Sequence, residues 1–133
     1  MAARKRAKAM PLLEQSWDGT ADGKARFHKE ALVVLRAVAI AAGLGAKDHE
    51  VRSNPMGPAL AGSAYLLADG FHLWIDGGSR GDWGAREGGR VTARKVAHRK
   101  DHAGSGENVS LDWELLWDPA SLVEVLKLEG VIA

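Results

Sequence analysis

Hydrophobic and polar residues change rhythm several times along this 133-residue chain, and each change marks an element. Between residues 24 and 42, spacings of three and four place Phe27, Ala31, Val34, Leu35, Val38 and Ala42 on one stripe, which predicts a well-buried helix. Asp22 is its expected N-cap and Gly43 its stop. Asp48–Ser53 alternates around His49 and Val51 and reads as a short strand. Asn54-Pro-Met-Gly-Pro58 is a loop, because two prolines fix φ and remove two donors.

The strongest local signal follows. Ser63–Ala68 and Phe71–Asp76 are apolar-rich runs separated only by Asp69-Gly70, the pattern of a two-residue β-hairpin. In the second run, Phe71, Leu73 and Ile75 share one face, and His72, Trp74 and Asp76 the other. Arg90–His98 reads as a further strand, with Val91 and Ala93 in phase and Val96 out of phase. That slip predicts a bulge or strand end near Arg94-Lys95. Val109–Trp113 alternates as a last strand. Asp118-Pro119 opens a terminal helix, whose stripe is Leu122, Val125 and Leu126 and whose stop is Gly130. The expected fold is α+β: a small antiparallel sheet of three to five strands, one long N-terminal helix packed on it and a short C-terminal helix. Residues 1–22 read as a flexible basic arm and 23–133 as one α+β domain.

Composition removes several function classes. There is no cysteine, which excludes disulfides, thiolate chemistry and cysteine-ligated zinc. No apolar run approaches the roughly 20 residues that span a bilayer, and the opening Met-Ala-Ala-Arg-Lys-Arg lacks the apolar stretch of a secretory signal. A cytoplasmic setting is expected, without a membrane partner. No Walker loop, nucleophile elbow or kinase signature occurs, and no cofactor is expected.

Charge adds more. The formal net charge is only +1, yet residues 80–102 hold seven basic and three acidic groups (+4), while residues 107–129 hold one basic and six acidic groups (−5). Arg90, Arg94, Lys95, Arg99 and Lys100 lie on or just after one predicted strand. Before it comes the glycine-rich segment 77–89, with Arg80, Trp83 and Arg86. Arginine and tryptophan are enriched at binding hot spots, and basic groups contact phosphates without regard to base sequence. These eight residues are the candidate partner- or nucleic-acid-binding set, with His72 and Trp74 as candidate stacking rings. Alternation puts Arg90 and Arg94 on one face and Lys95 and Arg99 on the other, so one continuous patch is not assured. The competing explanation is a solvated sheet edge, where lysine and arginine discourage aggregation. His98, Asp101 and His102 form a weaker constellation for metal binding or general-base chemistry, lacking a third ligand at suitable spacing.

Three stretches resemble a group of small bacteriophage and prophage proteins. They are Asn54-Pro-Met-Gly-Pro-Ala-Leu-Ala-Gly62, Arg99-Lys-Asp-His-Ala-Gly104 and Asp118-Pro119-x-x-Leu122, in the expected order. The chain departs from that pattern at His102, where the group has Tyr, and at Ala97-His98, where Gly precedes the Arg-Lys-Asp. The resemblance implies an origin and a fold but no established activity. It makes a non-enzymatic accessory protein, binding host machinery or nucleic acid in the host cytoplasm, the leading expectation. An inhibitor of a host defence protein such as a CRISPR or restriction system, a virion structural component, and a histidine-based or metal-dependent enzyme stand as alternatives.

Overall fold

The computed structural model describes residues 21–54, 62–77, 90–100 and 106–132. At its centre is the hairpin, with β2 at Ser63–Ala68 and β3 at Phe71–Asp76. Gly70 at the turn has φ 108°, a torsion that only glycine adopts without strain. The turn is tied on both sides: the Asp69 N–H donates to Asp48 O (3.2 Å), and the Val96 N–H donates to Gly70 O (3.0 Å).

Three more strands complete a five-stranded antiparallel sheet: β1 (His49–Asn54), β4 (Arg90–Lys95) and β5 (Asn108–Leu111). Spatial order follows chain order, β1-β2-β3-β4-β5. Register then fixes the faces. Val51, Leu66, Leu73, Ala93 and Val109 pair in succession across all five strands, and this row faces the core. Residues one position away face outward.

Helix α1 (Ala21–Ala41) packs against β1 and β2 on the core face and against α2 (Pro119–Leu128). Phe27, Ala31, Val34, Leu35 and Val38 are buried as the stripe predicts, whereas Ala42 is only half-buried. The N-terminal boundary differs from expectation. Ala21 and Asp22 are already helical, so Asp22 lies in the first turn instead of capping it, and its carboxylate still complements the positive helix end. The rest of the basic arm, residues 1–20, lies outside the described residues.

Both helices stop by the same device. The Gly43 N–H donates to Ile40 O (3.0 Å) and the Leu44 N–H to Ala39 O (3.0 Å), with Gly43 at φ 77°. In α2, Gly130 and Val131 donate to Lys127 O (3.1 Å) and Leu126 O (2.9 Å), with Gly130 at φ 76°. These are Schellman motifs, and glycine holds the left-handed position in each.

Three strand boundaries move. β1 runs one residue later than Asp48–Ser53. β4 ends at Lys95, short of His98 and at the place the phase slip of Val96 predicts, because Val96 leaves the ladder to bond Gly70 and is buried. β5 ends at Leu111, and Trp113 begins a 3₁₀ helix (Trp113–Trp117) that alternation does not reveal. Trp113, Leu116 and Trp117 are buried in the same core cluster as α1, the sheet and α2. At α2, the Asp118 carboxylate accepts from the Ser121 N–H (3.2 Å) and from Ser121 Oγ (2.7 Å), as the Asp-Pro start predicts. Its buried residues are Leu122, Val123 and Leu126, with Val125 half-buried.

Candidate nucleic-acid interface

Alternation leaves one sheet face without a helix of α1 or α2 packed on it, and register orders its side chains into rows. Arg52, Tyr65, Trp74, Thr92 and Ser110 pair in succession from β1 to β5. A second row is Glu50, Leu67, His72, Arg94 and Asn108. A third begins Asn54, Ser63, Asp76 and Arg90, and Ser63 Oγ donates to Asp76 Oδ1 within it.

Between these rows lies a cleft of about 590 Å³, lined by Arg52, Ser53, Asn54, Tyr65, Leu67, His72, Trp74 and Arg94. The Arg94 guanidinium stands 5.8 Å from the centroid of the Trp74 ring, within cation–π reach. The two are diagonal neighbours, since Trp74 pairs with Thr92 and Arg94 with His72. Arg52 is well exposed, and its Nε lies 3.6 Å from Glu50 Oε1. Tyr65 and Trp74 are directly opposed and half-buried. The cleft therefore combines two aromatic rings with two guanidinium groups on the sheet.

His72 has a different part from the one its sequence position suggests. It is only 2% exposed, so its ring forms the floor of the cleft and offers no stacking surface. Its Nε2 donates to Arg99 O at 2.8 Å. Arg99 in turn joins three segments. Its backbone N–H donates to Asp69 Oδ1 (3.0 Å), and its guanidinium reaches Asp69 Oδ2 (3.3 Å) and Lys47 O. The side-chain and backbone hydrogen bonds from Arg99 hold the Asp69 carboxyl below the ordinary carboxylate range.

The predicted basic set thus divides. Arg90 and Arg94 occupy the outer face. Lys95 has the parity of the core face, stands exposed at the strand end and lines a second cleft with Phe71, Val96, Lys127 and Val131. Arg99 serves as a latch across the hairpin turn, and Lys100 is exposed beside it, its N–H donating to His98 Nδ1 at 3.3 Å. Arg80, Trp83 and Arg86 lie outside the described residues, as do Asp101 and His102. The chain bearing Arg80, Trp83 and Arg86 leaves the sheet at Asp76 and re-enters at Arg90, two residues paired in register. Among the described residues no group of three or more His, Asp or Glu is placed to hold a metal ion. No described helix is long and apolar enough to cross a membrane.

Arg52 and Tyr65 are absent from the set chosen by charge density. Their signal lay in alternation: Arg52 follows core-facing Val51, and Tyr65 stands opposite Trp74 once the hairpin register is counted from Asp69-Gly70. No protein-family model, curated protein or solved structure matches this chain.

Proposed function

We propose that this is a non-enzymatic binding protein for single-stranded nucleic acid, an accessory of the phage type that its motifs resemble, acting through the outer face of its sheet. One observation carries the reading: the Trp74 ring with the Arg94 guanidinium over it, set beside Tyr65 and Arg52 in a single cleft. Aromatic rings on a sheet accept unpaired bases, whose π-faces stack whatever their sequence, and each stacked base contributes roughly 1–3 kcal/mol. Guanidinium groups beside them neutralise phosphates and release counterions. A duplex hides its bases inside the stack, so a platform of this kind favours single strands.

Titration of the protein into a labelled single-stranded oligonucleotide, followed by fluorescence anisotropy at several salt concentrations, tests the proposal. Affinity is expected to fall steeply with salt, and Arg52→Ala to reduce the slope of log K against log salt by about 0.7, the share of one phosphate on a single strand. Salt-independent binding, or equal affinity for a duplex of the same sequence, refutes it. The latch residue Arg99 is left intact in these variants, because its loss disturbs the hairpin turn as well as the charge.

A further inference from the structure

We infer that the outer-face cleft is a pocket for one nucleotide as a unit, stacking its base on Trp74 and holding its phosphate at Arg52. This inference rests on the same face as the proposed function but is narrower, since a phosphate-binding face could hold a strand without receiving any one base. Size comes first. The cleft of about 590 Å³ lies within the roughly 300–1,000 Å³ of small-molecule sites. It is also bounded. Buried His72 and Leu67 close its floor, and His72 is held in place by its hydrogen bond to Arg99 O.

The distribution of chemistry points the same way. Arg52 on β1 and Trp74 on β3 are in one row with Tyr65 between them, so their backbones stand two strand spacings apart, about 9.5 Å. That span accommodates a base at the tryptophan with its phosphate toward the exposed Arg52 guanidinium, whose Nε stands 3.6 Å from Glu50 Oε1 on the same strand. Arg94 over Trp74 extends the cationic, planar surface on which the base is held. Asn54 lines the cleft with a carboxamide, a group that hydrogen-bonds base edges through both its donor and its acceptor. The ligand is thus an aromatic heterocycle bearing a phosphate. A free nucleotide and an unpaired nucleotide within a strand share that chemistry.

The test uses the whole protein and four separate probes, AMP, GMP, CMP and UMP, with ribose 5-phosphate and inorganic phosphate as controls, read by two-dimensional NMR. Saturable shifts centred on the Trp74 indole N–H are expected with at least one nucleotide and with neither control. Trp74→Ala should weaken nucleotide binding about 5- to 150-fold, and Trp74→Phe should retain most of it. Arg52→Ala should weaken binding of a nucleotide but not of the matching nucleoside, separating phosphate recognition from a general loss of the pocket. Controls that bind as tightly as the nucleotides, or an absence of saturation with all four, overturn the inference. The two sources and the two proposals separate in a parallel titration. An oligonucleotide that binds equally well with an abasic position throughout, while no mononucleotide binds, removes the pocket and leaves the strand-binding function. A mononucleotide that binds while oligonucleotides do not supports the pocket and removes the strand-binding function. Failure of both removes both.

Discussion

Leu73 and Trp74 are adjacent in sequence and point to opposite sides of the central strand β3, so truncating each should damage a different property. Leu73 is 0% exposed and packs in the core cluster. Leu73→Ala removes its transfer free energy and leaves a cavity, a loss of 2–5 kcal/mol in buried sites and about 3 kcal/mol here. For 133 residues at about 2.1 cal/mol/K each, the unfolding entropy near the melting point is about 0.28 kcal/mol/K, so Tm should fall by about 11 °C. Trp74 is half-buried and keeps one cation–π contact, and Trp74→Ala should cost about 1–2 kcal/mol of stability. Its main effect should be a 5- to 150-fold loss of single-strand affinity, which Leu73→Ala leaves unchanged well below its Tm. Differential scanning calorimetry and anisotropy on the same preparations give both numbers. If Leu73→Ala weakens binding as much as Trp74→Ala does, or if Trp74→Ala binds normally, the division of labour between the faces is wrong.

Asp118→Ala removes both side-chain bonds at the start of α2 and should cost about 1 kcal/mol, visible as a Tm lower by about 3–4 °C; no change would show the cap to be replaced by water. Asp69 has a folded pKa below its unfolded one, so the stability it adds is complete above about pH 4 and is lost as pH falls through the lower folded value. Arg99→Ala should return the Asp69 titration, followed by carboxyl-carbon NMR, to the ordinary range and abolish that acid-side loss; an unchanged titration would remove Arg99 as the cause. Gly70→Ala and Gly106→Ala should both destabilise, for different reasons. A Cβ at Gly70 meets nothing within 4 Å but must sit at φ 108°, whereas a Cβ at Gly106 falls 2.5 Å from Lys95 O and forces β4 to shift. D-alanine at position 70 should therefore restore stability in a semisynthetic protein, and D-alanine that destabilises as L-alanine does would exclude the torsional explanation.

Much of this fold is written locally. The hairpin 63–76 follows from Asp69-Gly70 and its flanking runs, both helix stops from Gly43 and Gly130, and the start of α2 from Asp118-Pro119. What is not local was less legible. The tight turn Trp113–Trp117 continues the alternation of β5 in its first residue, and only burial of Trp113 and Trp117 against the core distinguishes it from more strand. The candidate site divides the same way. Trp74 and Arg94 were visible as an aromatic and a cation of suitable parity, but their companions depend on register across three strands. Charge density pointed to Arg99 because it counts cations without their partners; the structure gives that cation to Asp69 and the Lys47 carbonyl. His72 misled for a related reason, since alternation gives its face but not its depth.

The pairing of Asp76 with Arg90 also sets what the chain between them is free to become. Residues 77–89 join two ends of a closed stem, and the entropy of closing such a connection grows slowly with its length. Each doubling of that length costs only about 0.6 kcal/mol. The closure entropy of this connection therefore depends only weakly on its length. Doubling the connection with a flexible insert should lower stability by only about 0.6 kcal/mol through closure entropy, with β3 and β4 still paired from Asp76 and Arg90 onward.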